Sequence, residues 1–242
     1  MEHRFQLNAF DTDPMVQEPR NPDYYPRLFE NAGFNIKHNW YTYEVDSESR
    51  FVKKYSTPFR SLQTNYVIDE PDLGNPQEVA NRLYRIINQG WAEHIGFTAL
   101  SVEEFHSMLV SLFTLMKPGH LKIIQEKTPQ GLEDIGYLAL IADYGTAMQK
   151  LEGDASKFGH WQDEKLPDSL LWYSTTVLPG RSSPSLAKIL WHSGINTFNQ
   201  YGYKTLIWPL ATEALTWHRK HAIETRHYGL FEISLDQLAA LS

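Results

Sequence analysis

The chain has 242 residues, 42% of them hydrophobic and 21% charged, an ordinary globular composition that argues against a mostly disordered chain. It contains no cysteine, which excludes disulfides, thiolate metal sites, iron–sulfur clusters and a cysteine nucleophile. A net charge of −7 disfavours a broad grip on nucleic acid, and no apolar run reaches the ~18 residues of a membrane span, so neither partner is expected and a soluble cytoplasmic protein is the default.

From the N-terminus, alternation over 5–10 predicts a short strand, and 11–22, rich in Asp, Pro and Asn, reads as loop. Asn21 before Pro22 resembles an N-cap with proline in the first turn. It would open a helix carrying Tyr24, Tyr25, Leu28, Phe29 and Ala32 and stopped at Gly33. Residues 38–45 are aromatic and partly alternating, as in a strand. A strand–helix–strand piece this short has little core of its own. Its aromatic face (Tyr24, Tyr25, Phe29, Trp40 and Tyr43) needs cover from the rest of the chain or from a second copy, so a homodimer through this appendage is one expected arrangement.

Residues 47–74 form a polar connection, with a strand over 60–67 leading out of it. Val79, Leu83, Ile86 and Ile87 predict an amphipathic helix over 76–91. Ser101-Val-Glu-Glu104 is a capping-box pattern opening a second helix with Phe105, Met108, Leu109 and Phe113. Strands over 121–125 and 135–141, with Gly131 in the turn between them, make a hairpin. Residues 143–169 read as an irregular excursion with one short helix near 146–151. The strongest strand is 170–177. A helix over 184–200 ends at Gly202, a strand follows over 205–208, a helix over 211–221 and a last strand over 226–234. This order is α/β with mostly local pairing.

The chemistry concentrates in 172–190, where a buried strand delivers a short loop to the N-terminus of a helix. Free amides at such a point form an anion site. Ser182, Ser183 and Ser185 add hydroxyls, Gly180 eases the turn and Arg181 carries a charge toward a phosphate. The same residues admit a structural reading, in which Pro184 starts the helix and the serines cap it. His218, His221 and His227 have ligand-like spacing, but no Asp or Glu completes a zinc pattern, so no metal is expected. There is no P-loop and no Gly-x-Ser-x-Gly elbow.

Several segments together resemble the GCN5-related N-acetyltransferase superfamily, most of all its large tandem-type bacterial members. These are Tyr24-Tyr-Pro-Arg-Leu-Phe-Glu-Asn-Ala-Gly-Phe34, Trp91-Ala-Glu-His-Ile-Gly-Phe97, Asp143-Tyr-Gly, Thr176-Val-Leu-Pro179 and Gly202-Tyr-Lys-Thr205, in the family's order. The resemblance implies an acyl-CoA N-acyltransferase fold, a mixed central sheet flanked by helices. It places a whole domain at 61–242, and makes 1–60 an appendage resembling the end of a preceding domain. It also implies acetyl-CoA or another acyl-CoA as substrate and a small-molecule amine as acceptor. Thr176, Val177 and Leu178 match the bulge that pairs with the pantetheine arm. Ser182, Ser183, Pro184, Ser185, Leu186 and Ala187 match the pyrophosphate loop. There Ser182 replaces a Gln or Arg, Ser185 replaces a glycine, and Pro184 lacks an amide. The family's tyrosine acid is absent.

Four residues are the catalytic candidates, and each carries a second reading. His218 is a possible acid or packs on the sheet. Glu93, beside His94, is a possible base or a solvated helix end. Asp143 contacts substrate or caps the following helix. Tyr144, with Tyr173, shapes an acceptor pocket or belongs to the core. The chain is thus expected to be an N-acyltransferase acting by direct attack. The alternatives are a degenerate binding or structural module and an atypical thioester reaction on the same fold.

Overall fold

The computed structural model describes residues 4–57, 65–152, 154, 166–215 and 217–239. The chain forms two compact units: Met1–Val45 with Asp143–Glu164 and Ile207–Ser242, and Asp46–Ala142 with Lys165–Leu206. The expected boundary near residue 60, the first part of the strand expected over 60–67 and most of the excursion at 155–165 lie outside the described residues.

The first unit contains β1 (Phe5–Gln6), α1 (Tyr25–Asn31) and β2 (Asn35–Asp46), joined to strands from the far end of the chain. Both β1 and β2 pair antiparallel with the last strand, Ile223–Glu232. Segments that look too small to fold alone therefore share a sheet. Trp40 and Tyr43 are buried, and Phe29 packs 4.6 Å from Phe5 and 5.6 Å from Phe231. Tyr24 and Tyr25 remain exposed. The expected cap at Asn21 is not a cap. Its Oδ1 accepts from Gln6 N at 2.7 Å, tying the loop to β1, and α1 starts three residues later with Pro26 in its first turn.

The second unit contains α2 (Arg50–Ser56), β3 (Tyr66–Asp69), α3 (Pro76–Gly90), α4 (Val102–Phe113), β4 (Leu121–Thr128) and β5 (Gly131–Ala142). In the first unit, α5 (Gly145–Gln149) follows Asp143; β6 (Ser169–Val177) and α6 (Pro184–Gln200) return to the second. Strands β6, β5, β4 and β3 lie side by side, each antiparallel to its neighbour. Strand β5 is buried over its last eight residues, as a central strand should be. The capping box at Ser101 forms as expected: Ser101 N donates to Glu104 Oε2 at 2.9 Å and Glu104 N to Ser101 Oγ at 3.2 Å. Helix α2 falls in the stretch read as polar connection. Ser49 caps it, accepting from Val52 N, and its buried Phe51 and Tyr55 meet Trp191 of α6.

One irregularity sets the faces of β6. Ala139 pairs with Ser174 and Ile141 with Leu171, so Trp172 and Tyr173 together oppose one residue of β5. This β-bulge changes the alternation. Trp172 faces α6, where its ring meets Gly194, while Thr176 faces α3, where it meets Gly90. A Cβ on Gly194 would lie 2.4 Å from Trp172 Cζ3. Gly194→Ala is therefore expected to lower stability by about 2 kcal/mol despite alanine's better helix propensity. An unchanged or raised urea midpoint would show that the ring yields without cost.

Strand β7 (Thr205–Thr212), most of it in the first unit, runs beyond the strand expected over 205–208. Pro209 suggests a stop, but the backbone kinks there, with Leu210 at φ 53, and continues. Glu213 N then donates to Asn39 O of β2. That pairing overrides the helical propensity of 211–221, so in place of the expected helix the described residues form the end of β7, turns and a 3-10 turn at His218–Lys220. Strand β8 (Ile223–Glu232) ends before Ser234. Ser234 belongs instead to a reciprocal cap with Gln237 that opens α7 (Leu235–Ala239).

Candidate functional site

The end of β6 and the loop to α6 carry the site. The β5 ladder runs to the end of β6: Tyr137 pairs with Thr176, Gly136 with Val177, and Leu178 N donates to Ile135 O at 2.7 Å. In an antiparallel ladder of this register the main-chain groups of Thr176 and Leu178 point at β5, and those of Thr175 and Val177 point away. The bulge thus lies at Trp172–Tyr173, upstream of the expected Thr176–Val177–Leu178, yet Val177 still turns its N–H and C=O away from β5.

The chain then turns. Arg181 N donates to Leu178 O at 3.1 Å, with Pro179 and Gly180 at the centre. Gly180 has φ 77, the left-handed value that the third position of a type II turn demands. Arg181 swings back to the β4–β5 hairpin, meeting Glu126 at 2.5 Å and Glu133 at 3.1 Å. Its charge, expected to serve a phosphate, is paired here with these two carboxylates. Ser182 is exposed. Ser183 is the N-cap of α6: its Oγ accepts from Leu186 N at 3.1 Å, its carbonyl accepts from Ala187 N, and its hydroxyl lies 3.3 Å from Tyr66 Oη. Pro184 has no amide. Among the first-turn amides this leaves the exposed Ser185 N–H without an intrahelical acceptor. Lys188, three residues on and exposed, lies on the same helix surface as Ser185 and makes no ion pair among the described residues. The i, i+3 spacing of Ser185 and Lys188 is legible in the sequence.

A hydrogen-bond cluster that the sequence did not signal sits on the α3 face of β6. Trp91, the residue after α3, donates Nε1–H to Tyr137 Oη at 3.0 Å, and Tyr137 Oη lies 2.6 Å from Ser174 Oγ. Thr176 Oγ1 donates to Gly90 O at 3.2 Å and pins the same corner. Burial pushes the Tyr137 phenol up to about 12, against hydrogen bonds with Ser174 and Trp91, so it stays protonated at physiological pH.

The four catalytic candidates are divided between the units. Glu93 is exposed in the turn after α3, in the second unit. Asp143, Tyr144 and His218 belong to the first. Asp143 Oδ1 accepts from Val16 N at 3.0 Å and Gly145 N at 3.1 Å, tying the N-terminal loop to the start of α5; burial pushes its carboxyl up, against these bonds and the charge of Arg226. Tyr144 is buried and precedes α5. His218 stacks on Tyr43 with ring centroids 5.5 Å apart, meets Trp208 and Trp217 edge-on or tilted, and places Nδ1 3.3 Å from Leu215 O. Burial lowers its pKa, only partly offset by Leu215, so the ring is neutral at physiological pH. For Asp143, Tyr144 and His218 the contacts are those of the structural readings. Among the described residues no group of three or more His, Asp or Glu side chains is placed to hold a metal ion, and no helix is long and apolar enough to cross a membrane.

This arrangement is the mixed α/β fold of the GCN5-related N-acetyltransferases. The chain is similar to a GCN5-related N-acetyltransferase from Sphaerobacter thermophilus, with 12% identity and a TM-score of 0.57 over 94% of this chain and 58% of that one. It therefore spans less than two thirds of that protein's length. It is similar also to the GCN5-related glucosamine N-acetyltransferase region of a fungal multi-domain β-N-acetylglucosaminidase, with 13% identity and a TM-score of 0.53 over 86% of this chain and 22% of that one. A functionally unknown conserved protein from Staphylococcus epidermidis matches with 11% identity and a TM-score of 0.50, over 95% and 71% of the two chains. No protein-family model and no curated protein matches the sequence. At such identities the likeness carries the fold alone.

Proposed function

We propose that the chain binds a coenzyme A thioester along β6 and transfers its acyl group to a small-molecule amine. The observation that carries this reading is the run from β6 to α6. Val177 turns its peptide groups off the β5 ladder, a type II turn reverses the chain, and the first turn of α6 follows with the Ser185 N–H and Lys188. An extended amide-bearing arm suits the first feature, and phosphates suit the last. The amine nitrogen attacks the thioester carbon, the C–N bond forms, the C–S bond breaks, and the proton lost by the amine balances the one taken up by the departing thiolate. With no cysteine in the chain, no cysteinyl intermediate intervenes.

One observation favours the second reading, a binding module without turnover. In the first turn of α6 Pro184 has no amide and Ser185 alone has a spare one, and Arg181 is occupied by carboxylates. Calorimetry with coenzyme A and acetyl-CoA tests both readings. Binding is common to them, and release of free thiol in the presence of an amine panel separates them. No heat at millimolar ligand would overturn the coenzyme reading.

Ser185→Glu sharpens the test. A carboxylate in the first turn suits the helix dipole, so folding is preserved, but it repels a phosphate at the spare amide. The affinity is expected to fall at least about tenfold, the equivalent of roughly 1.4 kcal/mol. Unchanged affinity would move the phosphates elsewhere.

A further inference from the structure

The hydrogen-bond cluster beside β6 has a direction. An indole N–H is a donor only, so Trp91 fixes Tyr137 Oη as its acceptor. Tyr137 is buried, and its own O–H must find an acceptor. Ser174 Oγ, at 2.6 Å, is the acceptor in reach. The Ser174 O–H is then turned away from Tyr137, and it has no other partner among the described residues. The chain therefore runs one way, from Trp91 through Tyr137 to Ser174, and ends on a half-buried hydroxyl that presents its proton. Each donated bond polarises the next and strengthens the terminal donor.

Ser174 stands directly after the bulge at Trp172–Tyr173 and four residues before Leu178. That is about 13 Å along the strand from the turn that leads to α6. A pantetheine arm laid back along β6 from phosphates at the first turn of α6 runs toward Ser174 with its thioester end. A neutral hydroxyl suits a carbonyl oxygen rather than a carboxylate.

We infer that Ser174 Oγ–H donates to the carbonyl oxygen of the bound acyl thioester, stabilising the negative charge that develops there on attack, and that Tyr137 and Trp91 position it. This rests on the coenzyme A reading above. When the amine adds to the carbonyl carbon, the C=O pair moves onto oxygen and is held by this donor. When the pair returns, the C–S bond breaks and the thiolate leaves with a proton.

The test uses the full chain and acetyl-CoA labelled with carbon-13 at the carbonyl. Infrared difference spectra of the bound ligand are expected to show a lowered carbonyl stretch in the wild type and in Ser174→Thr, and a higher one in Ser174→Ala, with calorimetry showing that the ligand still binds in all three. Turnover of any accepted amine is expected to fall about a hundredfold in Ser174→Ala, in kcat rather than KM, and to be restored by threonine. Tyr137→Phe leaves the serine hydroxyl free to rotate and is expected to move the stretch part of the way. An identical stretch in wild type and Ser174→Ala, with ligand bound, would overturn the assignment of Ser174 alone. Failure of the wild type to bind acetyl-CoA would instead overturn the coenzyme reading and this assignment with it.

Discussion

Lowering the pH from 6.5 to 4 is expected to remove about 3 kcal/mol of stability through one residue, His120. Its side chain is fully buried at the start of β4, with Nε2 3.1 Å from Tyr203 Oη and the edge of Tyr201 against the ring. Its Nδ1 has no hydrogen-bond partner among the described residues. Burial first, and then the positive charges of Lys122 and Lys117, hold the imidazole down at about 4, against an ordinary value of 6.5. Above 6.5 the ring is neutral in both states and costs nothing. Between 6.5 and 4 the unfolded chain takes up a proton that the folded chain refuses, so stability falls as the pH falls, by roughly 2 kcal/mol at pH 5. Urea midpoints measured across this range should show that slope in the wild type. His120→Gln keeps a polar partner for Tyr203 and does not titrate, so its profile should be flatter by the same amount. Glu18 and Asp143, whose carboxyls are raised mainly by burial, act in the opposite sense in both proteins and cancel in the comparison. Equal slopes in the two proteins would mean that His120 is hydrated or protonated in the folded state.

Arg82→Ala is expected to cost about 3 kcal/mol. The Arg82 guanidinium joins three elements: from α3 it reaches Asp134 of β5 with two bonds, Nε–Oδ2 at 2.8 Å and Nη2–Oδ1 at 3.0 Å, and Asp69 of β3 at 2.6 Å. Gln125 of β4 donates to the same carboxylate at 2.8 Å, and Arg85 to the Asp134 carbonyl at 2.7 Å. The Asp134 side chain is 20% exposed. Burial pushes its carboxyl up, but the bonds from Arg82 and Gln125 and the charges of Arg82 and Arg85 more than reverse this and hold it below the usual range. The hydrogen bond with Asp134 in turn raises Arg82, against burial, with Asp69 adding to it. Removing the guanidinium strands a half-buried carboxylate and separates α3 from the hairpin. Asp69, at 35% side-chain exposure, is screened by solvent and adds less. Arg82→Lys keeps the charge and loses the fork, and should fall about midway. Because Asp134 is held low, its contribution is present above the ordinary carboxylate pKa and is lost only as the pH falls further, below the His120 window. A cost under 1 kcal/mol for Arg82→Ala would reduce the network to a surface pair.

Local signals read well where the chemistry is local. The Ser101–Glu104 box, the apolar stripe of α3, the type II turn at Pro179–Gly180 and the capping of α6 each depend on residues within four positions of one another. The same signal was present at Ser234–Gln237 and at Ser49, but those helices have five and seven residues, too short for periodicity to mark them. The helix expected over 211–221 failed for the opposite reason. Its propensity was real, and the backbone bond from Glu213 to Asn39, supplied from the other end of the sequence, outweighed it.

The site divides along the same line. The amino-acid order by itself determined that a buried strand, a Pro-Gly turn and a serine-capped helix follow one another, because strand alternation, a positive φ and an N-cap are demands on neighbouring residues. It also determined that no cysteine takes part. Only the tertiary structure decided that Arg181 is bound to Glu126 and Glu133, that His218 lies stacked on Tyr43, and that Ser174 ends a chain starting 46 residues from Tyr137 at Trp91. Those facts rest on strand register and on one bulge, which decide which face a side chain occupies and which distant partner it meets.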